Sequence, residues 1–573
     1  MNVRWVNPLT PKKLVIDHLK VVLGVDENIA NLLVNRGVSN FEEAKSFFRP
    51  SLDDLHDPYL MKDMKKAVQR LLKAIERNEK IMVYGDYDVD GTTAVSLLFS
   101  FLKTHSKNIC SYIPDRYEEG YGISLKGIDV AENRGVGLIV ALDCGIKAMK
   151  QVSYAAQKGI DFIICDHHTP GEKVPDAHAI LNPKQESCKY PYKELCGCGV
   201  GFKLIQAIGL KIGLSIHHLK PYLDLVAIAI AADIVPVNGE NRILAFHGLQ
   251  VINSSPRIGI QAILHQVKKH QLNISDVVFK IAPRINAAGR IKHASFVIDL
   301  LTAKDLETAL IHAKEIEAFN QQRKLLDSST AVQALAQIKE QSEENRASTV
   351  VFNEAWHKGV IGIVASRLIE TYHRPTLVFT KSKGYLVASA RSVKGFDVYQ
   401  ALEQCSEYIA FFGGHKYAAG LSIEPENYQK FKAKFETVVS ETLPLELKAP
   451  SIVIDAMINL DEITPKFIRV LKQFEPFGPG NMNPVFCSTG LKDDGNSKTV
   501  GADRSHLKLR IAQQENHQKF NAIGFGMGNK ETMLKDKQLF KSVYNIGENE
   551  WNGQVSIQLE VKDMKEEKSS DDL

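Results

Sequence analysis

Three aspartates at alternate positions, Asp86, Asp88 and Asp90, stand between an apolar run at residues 81–84 and a helix-forming run opening at Ala94. Carboxylates ~4 Å apart repel by roughly 4 kcal/mol per pair at an effective dielectric of ~20. A hard divalent cation, which takes oxygen ligands, turns that repulsion into binding energy. An acidic surface turn is the other reading of this stretch taken alone.

Two more apolar runs end in the same kind of residue. Residues 137–142 lead into Asp143-Cys144-Gly145, and residues 161–165 into Asp166-His167-His168. Segments of helical length separate the runs. Strand, helix and strand with polar residues at successive strand ends is the pattern of an open parallel α/β sheet, whose ligands bind beyond the carboxyl ends of the strands. Residues 222–232 form a nearly unbroken apolar helix ending in Asp233. A carboxylate opposes the helix dipole at a C-terminus, so Asp233 needs a partner, and a metal cluster supplies one.

The elements that must position these residues belong to a chain of 573 residues, long enough for three or four cores. Its 44% hydrophobic and 24% charged content is ordinary for a globular protein. No apolar run reaches the ~18 residues of a membrane span, and Met1-Asn2-Val3-Arg4-Trp5 lacks the pattern of a secretory leader. The eight cysteines are scattered, so a reduced, cytoplasmic protein is expected. A net charge of +4 neither demands nor excludes nucleic acid, which must be argued from placed arginines.

Residues 1–50 read as a helical preface, and residues 61–80 as an amphipathic helix. The hydrophilic stretch 304–345 has no glycine or proline and reads as a connecting helix, with a break expected near Asp327. A second α/β region follows, with strands at 349–352 and 376–379 and the run Ala388-Ser389-Ala390-Arg391-Ser392. Its Gly413-Gly414-His415 is either a routine turn or a backbone nest that approaches an anion. After Ala449-Pro450, short alternating strands suggest a small barrel. Phe474 and Phe477 lie among its turn residues and either stack bases or pack the barrel mouth. Cys196-Gly197-Cys198-Gly199 has no second cysteine pair to make a zinc site and fits a glycine-rich turn entering a helix.

Asp86-Tyr87-Asp88-Val89-Asp90-Gly91, Asp143-Cys144-Gly145, Asp166-His167-His168 and Ala232-Asp233 match, in order, the four motifs of the DHH phosphoesterase superfamily. With residues 116–122, 282–290 and 413–415, the chain resembles, along nearly its whole length, the superfamily's single-stranded-DNA-specific exonucleases. The resemblance implies an α/β fold: a parallel-sheet DHH domain (51–303) and a smaller α/β DHHA1 domain (346–445) joined by the helix 304–345. An OB-fold barrel at 449–562 and a charged tail at 563–573 complete it.

It also implies a ligand set of Asp88, Asp90, Asp143, His167 and Asp233, with Asp143 bridging two ions. Oxygen and imidazole ligands of this kind suit Mn²⁺ or Mg²⁺. His168 is assigned to the scissile phosphate and Asp166 to orienting a histidine. Asp86 stands where many superfamily members have a histidine ligand nearby, which leaves its role open. Arg116, Arg284, Arg290 and Arg391 become phosphate contacts, with Asn286, Ser389, Gly414 and His415 beside them and Tyr121 stacking a base. The expected activity is two-metal 5′→3′ hydrolysis of single-stranded DNA to 5′-mononucleotides in recombination and repair, with a single-strand-binding protein and a helicase as partners. The alternatives are an oligoribonuclease or small-nucleotide phosphatase, and a non-catalytic single-strand binder.

Overall fold

The computed structural model describes residues 3–567 except 8–11, 268, 270, 514–517, 535–538 and 552. Its contacts divide the chain into two compact units, Leu52–Pro450 and a second formed by Met1–Ser51 with Ser451–Leu573.

The larger unit carries the expected parallel sheet. Strands Ile109–Tyr112, Lys80–Gly85, Val136–Leu142, Asp161–Cys165 and Ala179–Leu181 lie side by side in that order, all parallel. The three central strands are buried almost from end to end, as strands covered by helices on both faces must be. Helix Leu223–Asp233 is buried along nearly its whole length and packs against helix Val89–Lys103 in the same core.

Helix Leu306–Glu340 runs unbroken for 35 residues. The break expected near Asp327 is absent. Asp327 is fully buried and lies 2.9 Å from Arg367 and 3.7 Å from Arg323, so the polar residues at that point hold the helix instead of ending it. Beyond it, strands Phe411–His415, Ala418–Ile423, Tyr385–Arg391, Thr376–Ser382 and Thr349–Phe352 form a mixed sheet in that order. Gly413 and Gly414 are not a nest-forming turn but part of a strand, paired with Gly420 and Ala419. Gly414 has φ +147°, and a Cβ there would sit 2.4 Å from the Ala418 carbonyl oxygen, so the neighbouring strand is what requires glycine.

In the smaller unit seven strands form the OB-type sheet, and the strand Phe486–Asp493 pairs with both the strand Phe540–Trp551 and, from Leu491 on, the strand His506–Gln513. Helices Lys13–Leu23, Glu27–Val34 and Phe41–Phe48 are not a separate preface. Ile29, Leu32 and Leu33 share one core with Phe467, Phe486 and Leu559 of the barrel. Phe474 is fully buried there, with Phe47 and Phe48 edge-on at 5.3 and 5.4 Å, so it packs the core and presents no face to a base. Phe477 lies partly buried against the same cluster. The last strand, Gln554–Glu566, takes up the start of the expected charged tail, and residues 568–573 lie outside the described residues.

Candidate metal centre

Gly85 pairs with Leu142, Leu142 with Cys165 and Cys165 with Leu181, so the strand ends are level across the sheet. Asp86, Asp143 and Asp166 each follow directly, and the register delivers them to one edge.

The three alternate aspartates do not share a turn. The helix opens at Val89, inside the motif, and Asp88 is its N-cap, its Oδ1 accepting from Gly91 N–H at 3.0 Å. N-cap geometry and the positive end of the helix both favour carboxylates here. Asp90 lies in the first turn, buried, and its two oxygens accept from Gly197 N–H at 2.6 Å and Cys198 N–H at 2.7 Å. Those two amides open helix Gly197–Lys211, so two helix N-termini converge on the motif. Cys196 caps that helix through Sγ, 3.3 Å from Gly199 N. Asp86 is fully buried; its Oδ1 takes the Gly122 amide at 3.3 Å while its Oδ2 has no partner among the described residues.

His167 is the hub. Its Nε2 lies 3.2 Å from Asp143, 3.6 Å from Asp233 and 3.8 Å from Asp90. Among the described residues, Asp90, His167 and Asp233 form one group that could hold a metal, and Asp143, His167 and His168 another. Asp88 falls in neither group, and its Oδ1 serves as the helix cap.

Part of this cluster is left unsatisfied by the described residues. Asp143 Oδ1 and His167 Nε2 are buried without a hydrogen-bond partner, an arrangement costing about 1–3 kcal/mol per group. Burial, then the neighbouring Asp90, drives Asp143 far above the carboxylate range. Burial with Asp88 pushes Asp90 up to about 7, and burial with Asp90 pushes Asp233 up to about 8. His167 is pushed down to about 3 by burial and by His168, leaving a neutral imidazole. Crowded carboxylates around a neutral imidazole fit divalent cations with oxygen and nitrogen ligands.

His168 points elsewhere. Its Nδ1 is 2.8 Å from Asp166 Oδ1, and Asp166 also accepts from the amides of Ile146, His167 and His168. Against the effect of burial, these bonds hold Asp166 down to about 2. His168 Nε2 lies 3.1 Å from Tyr121 Oη, and the His168 ring faces His415.

The expected phosphate contacts divide into two sets. Arg290 is partly buried and is pushed down to about 9 by desolvation and by Arg116, Arg391 and Arg323. Its Nη1 donates to the Gly359 carbonyl at 2.9 Å, and its own carbonyl accepts from Tyr117 Oη. Arg116 lies over the Tyr87 ring at 4.6 Å. Ser389 and Arg391 crowd Gly362, where a Cβ would lie 3.0 Å from Ser389 Oγ and 2.9 Å from Arg391 Nη2. Arg284 is engaged elsewhere, 2.7 Å from Glu317 and 2.5 Å from the Lys280 carbonyl. Asn286 is half-buried on helix Ala282–Ile291.

One contributor was hidden in the sequence. Gly197 brings its amide to Asp90 while its Cα presses on Asp143, where a Cβ would lie 2.5 Å from the Asp143 Cβ. The paired glycines at 197 and 199 are the signal, legible in the sequence only as the approach to a helix.

Comparison with known proteins agrees with this architecture. The N-terminal domain of the DHH family matches residues 80–230, the DHHA1 domain 345–441 and the RecJ OB domain 454–563. The single-stranded-DNA-specific exonuclease RecJ of Escherichia coli (strain K12) is 32% identical over 93% of this chain and 94% of its own length. That of Bacillus subtilis (strain 168) is 35% identical over 93% of this chain and 67% of its own. The chain belongs to the RecJ family. A crystal structure of RecJ in complex with Mn²⁺ from Thermus thermophilus superposes with a TM-score of 0.85 at 25% identity, covering 99% of this chain and 80% of that one. The RecJ likeness thus extends through Asp233 and Arg290, which lie beyond the DHH domain match that stops at residue 230.

Proposed function

We propose that this chain is a divalent-metal-dependent exonuclease that hydrolyses single-stranded DNA from the 5′ end and releases 5′-mononucleotides. The observation that carries this reading is the cluster of Asp90, Asp143, His167 and Asp233, in which Asp143 Oδ1 and His167 Nε2 are buried without a hydrogen-bond partner, lying in the same unit as an arginine cluster in which other arginines, not carboxylates, are the main charges felt by Arg290. The activity named for its relatives is the one such a pair of sites would perform.

Asp90, Asp143, His167 and Asp233 would hold the ions, with Asp86 and Asp88 adding charge beside them. Two bound divalent ions supply water activation and charge stabilisation at phosphorus. Asp166 fixes the His168 ring through Nδ1, so the opposite nitrogen, Nε2, is the one that would serve a scissile phosphate. Arg116, Arg290, Ser389 and Arg391 would hold the terminal phosphate, and Arg290 is suited to that role because burial among like charges leaves it wanting an anion. A grip on a terminal phosphate beside the cutting site gives exonucleolytic, 5′-directed action. Arg284, already paired, is left out of this set, and Asn286 would face the strand from the helix that carries Arg290.

The OB-type barrel would add single-strand contacts of its own, which an enzyme for dinucleotides does not need. Among the described residues no helix is long and apolar enough to cross a membrane. A cytoplasmic setting, work in repair and recombination, and encounters with a single-strand-binding protein and a helicase follow from the family reading.

One time course tests the proposal, in Mn²⁺ or Mg²⁺, with single strands labelled at either end, blunt duplex, RNA and a dinucleotide. The 5′ label should leave at once as mononucleotide, the 3′ label should pass through shorter strands, and duplex should resist. Immediate release of 3′ label would refute the polarity. Preference for the dinucleotide would favour an oligoribonuclease.

A further inference from the structure

We propose that Tyr121 is a positioning residue for His168, acting through its hydroxyl and not by stacking on a base. This rests on the reading that His168 Nε2 serves the scissile phosphate. Asp166 receives three backbone amides within 3.1 Å besides the His168 ring, so its carboxylate is an acceptor throughout and His168 Nδ1 carries a proton. The opposite nitrogen, Nε2, lies 3.1 Å from Tyr121 Oη. Tyr121 Oη lies in turn 3.3 Å from the Asp143 backbone oxygen, which can only accept. Tyr121 Oη thus stands between His168 Nε2 and the Asp143 carbonyl oxygen, within hydrogen-bond reach of both.

The relay runs from Asp166 through both ring nitrogens to the backbone of Asp143, and it fixes the ring at both ends. One anchor alone leaves a histidine free to swing about its Cβ–Cγ bond. The second, at Nε2, sets where that nitrogen stands relative to the metal cluster, because Asp143 is part of both. The Tyr121 ring meets His168 edge-on at 5.9 Å and Tyr87 at 6.1 Å, so its own neighbours already set its orientation. Tyr87 lies beneath Arg116, which ties the same aromatic row to the arginine cluster.

The experiment compares wild type, Y121F, Y121A, H168A and Y121F/H168A on a 5′-labelled oligothymidylate in Mn²⁺. Melting temperature with and without Mn²⁺ is measured alongside. The Y121F protein should lose about tenfold in kcat with KM within about twofold, because substrate is still bound but Nε2 is misaimed. It should melt like wild type and keep the same upward shift on adding Mn²⁺. In the H168A background the Y121F change should cost nothing further, since the group it positions is gone. Full activity in Y121F with a raised KM in Y121A would make the residue a base-stacking platform and overturn the inference. An equal loss in the H168A background, or a Y121F protein melting far below wild type, would overturn it too. Wild-type protein inert on every single strand would instead refute the nuclease reading on which it rests.

Discussion

His168 and His415 face each other with ring centroids 6.3 Å apart and planes 17° from parallel, although they sit on different sheets of the larger unit. His168 follows the end of strand Asp161–Cys165, whereas His415 ends strand Phe411–His415 of the second sheet. The pair is a direct link between the metal centre and the domain carrying Ser389 and Arg391. Burial is the larger effect lowering the proton affinity of His415, and His168 lowers it further.

Replacing His415 by alanine should remove that link while leaving every member of both metal-holding sets in place. The expected loss in kcat/KM is about tenfold, roughly 1.4 kcal/mol of transition-state stabilisation. Steady-state kinetics on a 5′-labelled strand would measure it, and wild-type kcat/KM in H415A would show the stacking to be incidental.

Asp143→Asn tests the electrostatics of the cluster. Asp143 has φ +59°, a conformation asparagine tolerates, so the change removes charge with little backbone penalty. In EDTA the variant should melt no lower than wild type, because one of several mutually repelling buried carboxylates has gone. Mn²⁺ should raise the melting temperature of wild type clearly and that of D143N little, and hydrolysis should fall to less than about a tenth, a loss above ~1.4 kcal/mol. A D143N protein with the full Mn²⁺ shift would take Asp143 out of the centre.

Gly197→Ala should damage both stability and activity. The added methyl would lie 2.5 Å from Asp143 Cβ and 2.6 Å from its Oδ1, against atoms that cannot move without disturbing the centre. A destabilisation of about 1–3 kcal/mol is expected from overpacking, with a large fall in kcat. Gly209→Ala is the control in the same helix, since its nearest neighbour would be at 3.5 Å. There alanine should be neutral or stabilising by up to about 1 kcal/mol. Urea unfolding of the two variants side by side decides whether position or mere loss of glycine matters.

Ile234 holds φ +59° and ψ +30° as the residue after helix Leu223–Asp233, and it is 65% exposed. A β-branched residue in the left-handed region is strained by roughly 1–2 kcal/mol, and little burial compensates here. Ile234→Asn should therefore stabilise the protein by about 1 kcal/mol in urea unfolding. A neutral or destabilised variant would mean that the isoleucine side chain is held by contacts stronger than its strain.

The sequence by itself determined the parallel sheet, because apolar runs capped by Asp86, Asp143 and Asp166 admit few other folds. It also determined that Asp233 belonged with them, since a carboxylate at a helix C-terminus has no local reason to be there. Local composition dictates such features. The tertiary structure alone decided which carboxylates converge. Asp88 and Asp90 are two residues apart, yet one caps its own helix while the other is held by the amides of Gly197 and Cys198, over a hundred residues on. It also separated Arg284, paired with Glu317, from Arg290, set among other arginines. Likewise it moved Phe474 from a possible base platform into a core shared with Phe47 and Phe48. Each of these outcomes depends on a partner distant in the chain. Spacing and periodicity report the chain's own neighbours, whereas the partner of a buried charge or ring is chosen by packing.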